Sequence, residues 1–409
     1  MTTPDKIQVL EGSVLETILL KEYEDQTVDL SETDFDFILR DLAGKIVIRR
    51  DIRGRRFILN PAQFVGVITL PSGRRIESRP KIPVSNLFYM LAKAFQLPPF
   101  RPELAKLERL DEILEFVANF FADLVEERIG NGLYRWYVEI EDNMPAVRGR
   151  INFTEDVRQN YILRQRTYCR FDEFTWDIPE NQIIRQVSHF LSGWRFLPQT
   201  RRRLGQIDAE LGEVTRTQFA AIDVDRIHYH RLNEDYRHVH QLCRLFLEGA
   251  SLSEDLGEFS FRAFLLDMNK LFEEFVCEIM RERALGGLSV DSQDWIYLDR
   301  EKKILMKPDI LIRRAGTVVL SADCKYKRLE SDDFKNNDVY QLLAYCTATD
   351  TRRGVLVYPM HTNSAREKVQ ILNTEICIRQ ITIDLGQELG ELVRSCDSFA
   401  DEVFAYVEI

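Results

Sequence analysis

Residues 303–327 read KILMKPDILIRRAGTVVLSADCKYK, and this stretch decides the fold predicted for the C-terminal part of the chain. Two apolar runs, Ile304–Ile312 and Thr317–Ala322, flank a short polar segment that ends in Gly316. Apolar runs of this length around a glycine-containing turn are typical of adjacent strands. We therefore predict a β-hairpin here.

Polar side chains interrupt the far end of this hairpin. Asp309 lies on the first strand, and Asp323 and Lys325 follow the second, two residues apart. Because side chains alternate along a strand, Asp323 and Lys325 share a face while Cys324 points away. Mg²⁺ accepts one or two protein carboxylates and keeps several waters, so Asp309 and Asp323 are candidate ligands, with Lys325 beside them. A surface ion pair between Asp and Lys explains the short D-x-K pattern equally simply.

Length, composition and cysteine usage set limits on the class of protein. The chain has 409 residues, of which 45% are hydrophobic, and this size predicts two or three domains. No apolar run is long enough for a membrane span, and the first residues lack a signal-peptide pattern, so we expect no membrane association and a cytoplasmic location. The seven cysteines are scattered and never form C-x-x-C, which predicts reduced thiols.

The net charge of −11 is unusual for a protein that contacts nucleic acid, but basic residues concentrate between residues 45 and 81. Ten Lys and Arg residues lie there against two acids. This segment is either a solvated face of strands or a surface for DNA or an acidic partner.

Four histidines form two His-x-His pairs, His228 with His230 and His238 with His240. A metal site is one interpretation, but no cysteine accompanies the pairs, and i and i+2 residues on a helix do not face one another. We expect packing or surface histidines.

The pattern along the chain predicts a mixed α/β protein with three parts. Residues 1–100 suggest an N-terminal α+β domain that docks a partner or DNA, residues 101–255 a mainly helical connecting domain, and residues 256–409 an α/β unit with a mixed sheet. We find no internal repeats.

Two predicted helices flank the hairpin. Phe261–Arg283 is strongly amphipathic, with Glu273 at the border of its apolar stripe, where it is either a third metal ligand or part of a charged rim. A second helix starts at Ser331 or Asp332 and continues through Thr347. It carries Asp338, Gln341 and Tyr345 on one side.

These parts together resemble the PD-(D/E)XK nuclease superfamily, through Lys307-Pro308-Asp309, Asp323-Cys324-Lys325, the preceding helical glutamate and Gln341-x-x-x-Tyr345. Within that superfamily the chain is similar to the McrC family, the nuclease subunits of McrBC-type, or type IV, modification-dependent restriction systems. Supporting stretches are FLLDMNKLFE at 264–273, DCKYK at 323–327, and FVGVI at 64–68 leading to RPKI at 79–82.

The resemblance implies a function and roles for individual residues. Asp309 and Asp323, with Glu273 as a further candidate, would bind Mg²⁺, Lys325 would serve catalysis, and Gln341 and Tyr345 would support the site or contact DNA. The partner would be a McrB-like AAA+ GTPase ring, and the substrate double-stranded DNA containing modified, methylated cytosine. The chain would cleave that DNA and stimulate GTP hydrolysis by its partner.

One sequence feature agrees with such dependence on a partner. No G-x-x-x-x-G-K-[ST] phosphate loop occurs, so nucleotide hydrolysis is expected from another chain. A stand-alone PD-(D/E)XK repair or junction nuclease, and a non-catalytic adaptor that activates a partner NTPase, remain alternatives.

Overall fold

A computed structural model describes residues 17–51, 54, 56–96, 109–162, 165–255, 258–292, 294–327, 335–359 and 368–408. The protein is mixed α/β, as predicted. Its described residues separate into two compact units. The first combines the chain up to Ile113 with the chain from Arg262 onward, and the second contains Leu114–Phe261. The three-part division remains a prediction from the sequence.

The N-terminal part of the first unit alternates short strands and helices, namely β1 (Thr17–Lys21), β2 (Gln26–Val28), α1 (Glu32–Asp41), β3 (Val47–Arg50), β4 (Phe57–Asn60), β5 (Phe64–Thr69), β6 (Arg75–Arg79) and α2 (Val84–Ala94). Helix α1 starts where Ser31 accepts a hydrogen bond from the backbone N–H of Asp34, a usual N-cap. Strands β2, β4 and β3 form a small antiparallel sheet in that order.

The second unit is mainly helical and contains α3 (Leu110–Asn131, whose first turn belongs to the first unit), β7 (Trp136–Met144), β8 (Arg150–Ile151), α4 (Phe153–Asn160), β9 (Thr167–Thr175), α5 (Pro179–Ser192), α6 (Pro198–Glu210), α7 (Ala221–Val224), α8 (Arg237–Gly249) and β10 (Ala250–Asp255). Strand β9 pairs antiparallel with both β7 and β8. In the core of the second unit, the rings of Phe121 and Phe246 pack edge to face, with their centres 6.0 Å apart.

The C-terminal part of the first unit contains β11 (Glu258–Asp267, whose residues up to Phe261 belong to the second unit), α9 (Met268–Arg283), β12 (Leu288–Ser292), β13 (Ile296–Tyr297), β14 (Leu305–Met306), β15 (Ile310–Arg314), β16 (Thr317–Cys324), α10 (Asn336–Ala348), β17 (Arg353–Pro359), β18 (Lys368–Gln370), β19 (Cys377–Ile383) and α11 (Leu389–Glu408). Six strands form a mixed sheet in the order β12, β15, β16, β17, β19, β18. Helix α10 connects the parallel strands β16 and β17.

The hairpin predicted around Gly316 is present as β15 and β16, which pair antiparallel. Ala315 and Gly316 both have positive φ, at 50° and 85°, so the two-residue connection has the backbone of a tight hairpin turn. The predicted start of the following helix at Ser331 or Asp332 lies outside the described residues, whereas Asn336–Ala348 is helical.

The helix predicted over Phe261–Arg283 was wrong in its first two turns. Residues up to Asp267 continue β11, and the helix begins at Met268. Asp267 caps this helix by accepting hydrogen bonds from the backbone N–H groups of Asn269 and Lys270. The apolar residues before the cap are in a strand because they pair with β5, a partner about 200 residues earlier in the chain.

That pairing joins the two ends of the chain within one sheet, in which β1, β6, β5 and β11 are successive neighbours. Gly66 in β5 lies opposite Leu265 and has a φ of +154°. A Cβ at this position would lie 2.0 Å from the carbonyl oxygen of Phe264. Only glycine therefore allows the two backbones to approach this closely.

Helix contacts also connect the N-terminal and C-terminal parts of the first unit. The ring of Tyr89 in α2 packs edge to face on Phe275 in α9, 5.8 Å away. Buried Asn86 donates hydrogen bonds to the carbonyl oxygens of Leu385 and Gln387, at 2.9 and 2.8 Å. Helix α2 thus packs onto α9 and the segment that leads into α11.

Many arginines of the basic segment 45–81 form ion pairs with acids outside that segment. Arg49 pairs with Asp25, and Arg50 with Glu32 at 2.7 Å. Further pairs are Arg56 with Asp29 and Arg75 with Asp111, whereas Arg53 and Arg55 lie outside the described residues. The segment therefore presents less positive charge than its sequence suggests.

Within the described ranges, no helix is both long and apolar enough to cross a lipid bilayer. The seven cysteines are free thiols, six of them buried, as their spacing predicts.

Candidate active site

Asp309 and Asp323 meet where the hairpin strands begin and end. Asp309 directly precedes β15, and Asp323 is fully buried near the carboxyl end of β16. The carboxylate of Asp309 accepts a hydrogen bond from the backbone N–H of Cys324 at 2.8 Å. This bond holds Asp309 against the strand that carries Asp323.

Lys325 lies immediately beyond β16 and turns back onto Asp323. Its Nζ donates to Asp323 Oδ1 at 2.9 Å and lies 2.8 Å from Oδ2, which makes no hydrogen bond. The backbone N–H of Lys325 donates to Val357 in β17. The lysine is therefore positioned by both neighbouring strands of the sheet.

Burial and mutual repulsion shift the pKa values of these groups. Desolvation, followed by the charge of Asp309, raises the pKa of Asp323, and desolvation also raises the pKa of Asp309. Burial alone would lower the pKa of Lys325, but Asp323 and Asp309 more than compensate and raise it. Lys325 is consequently a firmly protonated ammonium among carboxylates that resist ionisation.

Glu273 faces the same group of charges from α9. Burial, then repulsion by Asp309, raises its pKa, while Lys325 opposes the shift. Glu273 therefore belongs to the site electrostatically. Glu273 as a metal ligand remains a prediction.

Gln341 and Tyr345 contact each other on α10. Nε2 of Gln341 donates to the hydroxyl of Tyr345 at 2.7 Å, and that hydroxyl lies 3.4 Å from the carbonyl oxygen of Lys307, two residues before Asp309. The pair links α10 to the segment that leads into the site. The structure thus brings all six predicted site residues to one end of the C-terminal sheet.

The oxygen donors of this site suit Mg²⁺. In the parts of the chain that the structure describes, no three His, Cys, Asp or Glu side chains converge closely enough to enclose a metal ion. Mg²⁺ needs only one or two carboxylates, because it retains waters. Asp309, Asp323 and Glu273 face one lysine, and repulsion by Asp309 contributes to the raised pKa values of the other two acids, so a divalent cation here would be electrostatically favourable.

Sequence reasoning missed a second buried acid close to the site. Glu22, just beyond β1, is fully buried and accepts hydrogen bonds from the backbone N–H of Lys81 at 3.1 Å and from the hydroxyl of Tyr326 at 3.4 Å. Tyr326 is the residue after Lys325. No local sequence signal marks Glu22, because its partners are 59 and 304 positions away.

A further acid, Asp338, lies in the first turn of α10 and is also buried. It accepts hydrogen bonds from Lys327 at 2.7 Å and from the hydroxyl of Tyr358 at 2.5 Å. The sequence placed Asp338 on the same side as Gln341, but its partners show that it anchors the chain after Lys325.

The histidine pairs do not converge on one point. His240 is buried between the hydroxyl of Tyr229 and the carbonyl oxygen of Glu180, and burial lowers its pKa to about 4. His230 contacts Tyr134, and His228 contacts the carbonyl oxygen of Arg226. These are packing contacts, as the sequence suggested.

The fold and the site together define the class of protein: a mixed α/β protein with buried acids and a lysine at the end of a sheet. Comparison with known proteins then places it. The model of the family described as "McrBC 5-methylcytosine restriction system component" matches residues 59–359, well over half of the chain. The chain belongs to this family, which confirms the family predicted from the sequence.

Individual relatives agree with this placement. The chain is 24% identical over 338 residues to the type IV methyl-directed restriction enzyme EcoKMcrBC of Escherichia coli K12, covering 76% of this chain and 94% of that one. Among solved structures, it is similar to a chain in a half-complex of Thermococcus gammatolerans McrB AAA+ hexamers with bound McrC. That match has a TM-score of 0.53 and 18% identity, and covers 95% of this chain and 100% of the other, which supports the fold.

Proposed function

We propose that the chain is the Mg²⁺-dependent DNA endonuclease subunit of a McrBC-type restriction complex, and that its C-terminal sheet is a PD-(D/E)XK nuclease domain. The observation that carries this proposal is the placement of Asp309 and Asp323 at one strand end, with the ammonium of Lys325 2.8 Å from Asp323. Because the proposed substrate is double-stranded DNA carrying modified cytosine, we place the complex in the cytoplasm.

Each residue of the site has a proposed task. Asp309 and Asp323 would hold the cation, with Glu273 as the candidate third ligand. Bound Mg²⁺ would supply Lewis-acid stabilisation of the charge that develops on the phosphodiester. Lys325 would add a fixed positive charge there, since its raised pKa favours an ammonium over a general base.

The proposed partner follows from the family. McrB forms AAA+ hexamers with bound McrC in the Thermococcus complex. We infer that the present chain binds a McrB-type AAA+ GTPase, stimulates its GTP hydrolysis and receives DNA from it. The partner would select the modified cytosine, and this chain would cut.

The test is cleavage of methylated double-stranded DNA by the full chain with its McrB-type partner, GTP and Mg²⁺. We expect Asp323→Asn and Lys325→Ala to abolish cleavage while stimulation of GTP hydrolysis persists. Asp350→Asn and Lys368→Ala are matched controls, because both residues are exposed and lie outside the site.

Three results separate the alternatives. Cleavage that survives Asp323→Asn would refute the assigned site. A restriction phenotype that persists in cells carrying the non-cleaving variant would favour the adaptor. Efficient cutting by the purified chain without partner or nucleotide would favour a stand-alone nuclease.

A further inference from the structure

A small hairpin leads directly into the candidate active site. Strands β13 and β14 pair antiparallel, with Ile296 opposite Met306 and Tyr297 opposite Leu305. We call residues 294–307 the approach hairpin; Gln293, just before it, lies outside the described residues. Its last residue is separated from Asp309 by Pro308 alone.

The two faces of the approach hairpin differ. Ile296 and Met306 are partly buried and pack against the apolar cluster of the C-terminal sheet and α10. On the opposite face, Trp295, Tyr297 and Leu305 are 64%, 43% and 47% exposed. Since one face already anchors the hairpin to the core, packing against the described residues of this chain does not explain the apolar outer face.

Amines accompany the exposed rings. Nζ of Lys307 lies 5.3 Å from the centre of the Trp295 ring, and Nζ of Lys302 lies 5.8 Å from that of Tyr297. Such cation–π pairs keep the positive charge next to the aromatic surface. The outer face is therefore both apolar and basic.

The acids of the hairpin do not cancel this charge. Asp294 pairs with Arg313 at 3.0 Å, and Asp299 accepts hydrogen bonds from the backbone N–H groups of Lys303 and Ile304. Asp299 keeps its negative charge while it accepts these bonds, so residues 299–307 carry four basic side chains and two acidic ones, namely Arg300, Lys302, Lys303, Lys307, Asp299 and Glu301. This local excess of positive charge occurs in a chain whose net charge is −11.

Hydrogen bonds within the approach hairpin fix the conformation of its tip. Besides the Asp299 bonds, the backbone N–H of Leu298 donates to the carbonyl oxygen of Ile304 at 3.0 Å. Lys302 has a φ of 55°, as a tight turn requires. A ligand would meet a preformed surface and would not have to order a loop.

The hairpin lies within a few nucleotides of the proposed reaction. Met306 precedes Asp309 by three residues, a span of at most roughly 10 Å at about 3.3 Å per residue. Successive phosphates along one DNA strand advance by about 3.4 Å. A duplex that has a phosphodiester at Asp309 and Asp323 and runs toward the approach hairpin would therefore reach the hairpin within about three nucleotides.

We propose that the outer face of the approach hairpin binds double-stranded DNA beside the phosphodiester to be cut. This inference rests on the proposed nuclease function. Trp295 and Tyr297 contact the sugars of the backbone, and the lysines neutralise phosphates, so the contact is independent of sequence. Its role is to hold the duplex while Asp309, Asp323 and Lys325 act.

The variants that test this are Trp295→Ala with Tyr297→Ala, and separately Lys302→Glu, in the full chain with its McrB-type partner. We expect the aromatic double variant to lower the cleavage rate at least about tenfold, since it removes both apolar ring contacts to the duplex. We expect Lys302→Glu to lower the rate and to make cleavage less sensitive to added salt. Partner binding and stimulation of GTP hydrolysis in the absence of DNA should be unchanged.

Matched controls separate the hairpin from general surface effects. Leu372→Ala removes a strongly exposed apolar side chain elsewhere in the C-terminal part, and Lys368→Glu reverses an exposed charge there. Both controls should cleave like the parent chain. Lys302→Glu keeps the proposal testable if the aromatic double variant fails to fold, because Lys302 is fully at the surface.

A photo-crosslinking residue at position 297 identifies what covers this face. An adduct with DNA in the assembled complex is the expected result, whereas an adduct with the partner or with a second copy of this chain would overturn the proposal. Normal cleavage by the hairpin variants would also overturn it, while loss of cleavage in Asp323→Asn would leave the nuclease function standing. Cleavage by Asp323→Asn would instead overturn the function itself.

Discussion

Replacing Glu22 by glutamine should make the first unit more stable at neutral and alkaline pH. Glu22 is fully buried, and its Oε2 makes no hydrogen bond. Burial raises its pKa from 4.5 to about 7, against the opposing effects of Lys81 and Tyr326. Glutamine keeps an acceptor for the backbone N–H of Lys81 but carries no charge to desolvate.

The size and sign of the effect follow from the pKa. A group whose pKa is higher in the folded state contributes its full stabilisation at pH values below its unfolded-state pKa. This stabilisation is lost as the pH rises through the folded-state pKa. Each pH unit between 4.5 and about 7 lowers the free energy of unfolding of the parent chain by about 1.4 kcal/mol. The advantage of Glu22→Gln should therefore grow with pH and level off at about 3 kcal/mol above pH 7.

Hydrogen–deuterium exchange with mass spectrometry, on peptides from β1, β5 and β6 and across a pH series, reports on this sheet separately. The quantity to compare is the opening free energy of the variant minus that of the parent, corrected for intrinsic exchange. Glu24→Gln is the control, since Glu24 is exposed and should give a flat difference. A difference for Glu22→Gln that is flat, or that falls as pH rises, would refute the reasoning.

Further predictions concern the site and the shared sheet. Burial and Asp309 raise the pKa of Asp323 to about 7, and burial raises that of Glu273 to about 8, so protons should compete with the cation. The Mg²⁺ concentration for half-maximal cleavage should fall between pH 6 and pH 8, and a constant requirement would contradict this. Gly66→Ala should lower stability by at least about 3 kcal/mol in thermal or urea unfolding, because its Cβ would overlap the Phe264 carbonyl. Gly205→Ala, at an open helical position, should be neutral or slightly stabilising, so similar losses for both glycines would argue against a specific clash. Tyr345→Phe should slow cleavage roughly fivefold by removing the hydroxyl that Gln341 contacts, and an unchanged rate would show that this hydroxyl does not support the site.

Local patterns predicted the hairpin and the grouping of its polar side chains well. The turn residues Ala315 and Gly316, the alternation that separates Cys324 from its neighbours, and the cap at Ser31 all act over a few residues. Asp323 and Lys325 lie together in the structure because strand geometry alone requires it. Their catalytic role rests on the experiments above.

Long-range pairing explains what the sequence could not reveal. Phe264 fits the stripe of an amphipathic helix, yet Phe264, Leu265 and Leu266 form a strand because β5 supplies an edge with Gly66 at the point of closest approach. Asp267 was the available signal, since Asp before a helical pattern is a common cap. The ion pairs of the arginines and the Glu22 contacts likewise involve residues that composition windows treat separately.

The pairing of β5 with β11 has a consequence for biosynthesis. Gly66 leaves the ribosome about 200 residues before Leu265, a delay of roughly 10–40 s at about 5–20 residues per second. Throughout that interval β5 has an unsatisfied edge, and its buried apolar side chains Val65 and Val67 have only part of their final cover. The nascent N-terminal segment is thus a natural client for chaperones, while Leu114–Phe261, a compact unit of consecutive residues, can fold in the meantime.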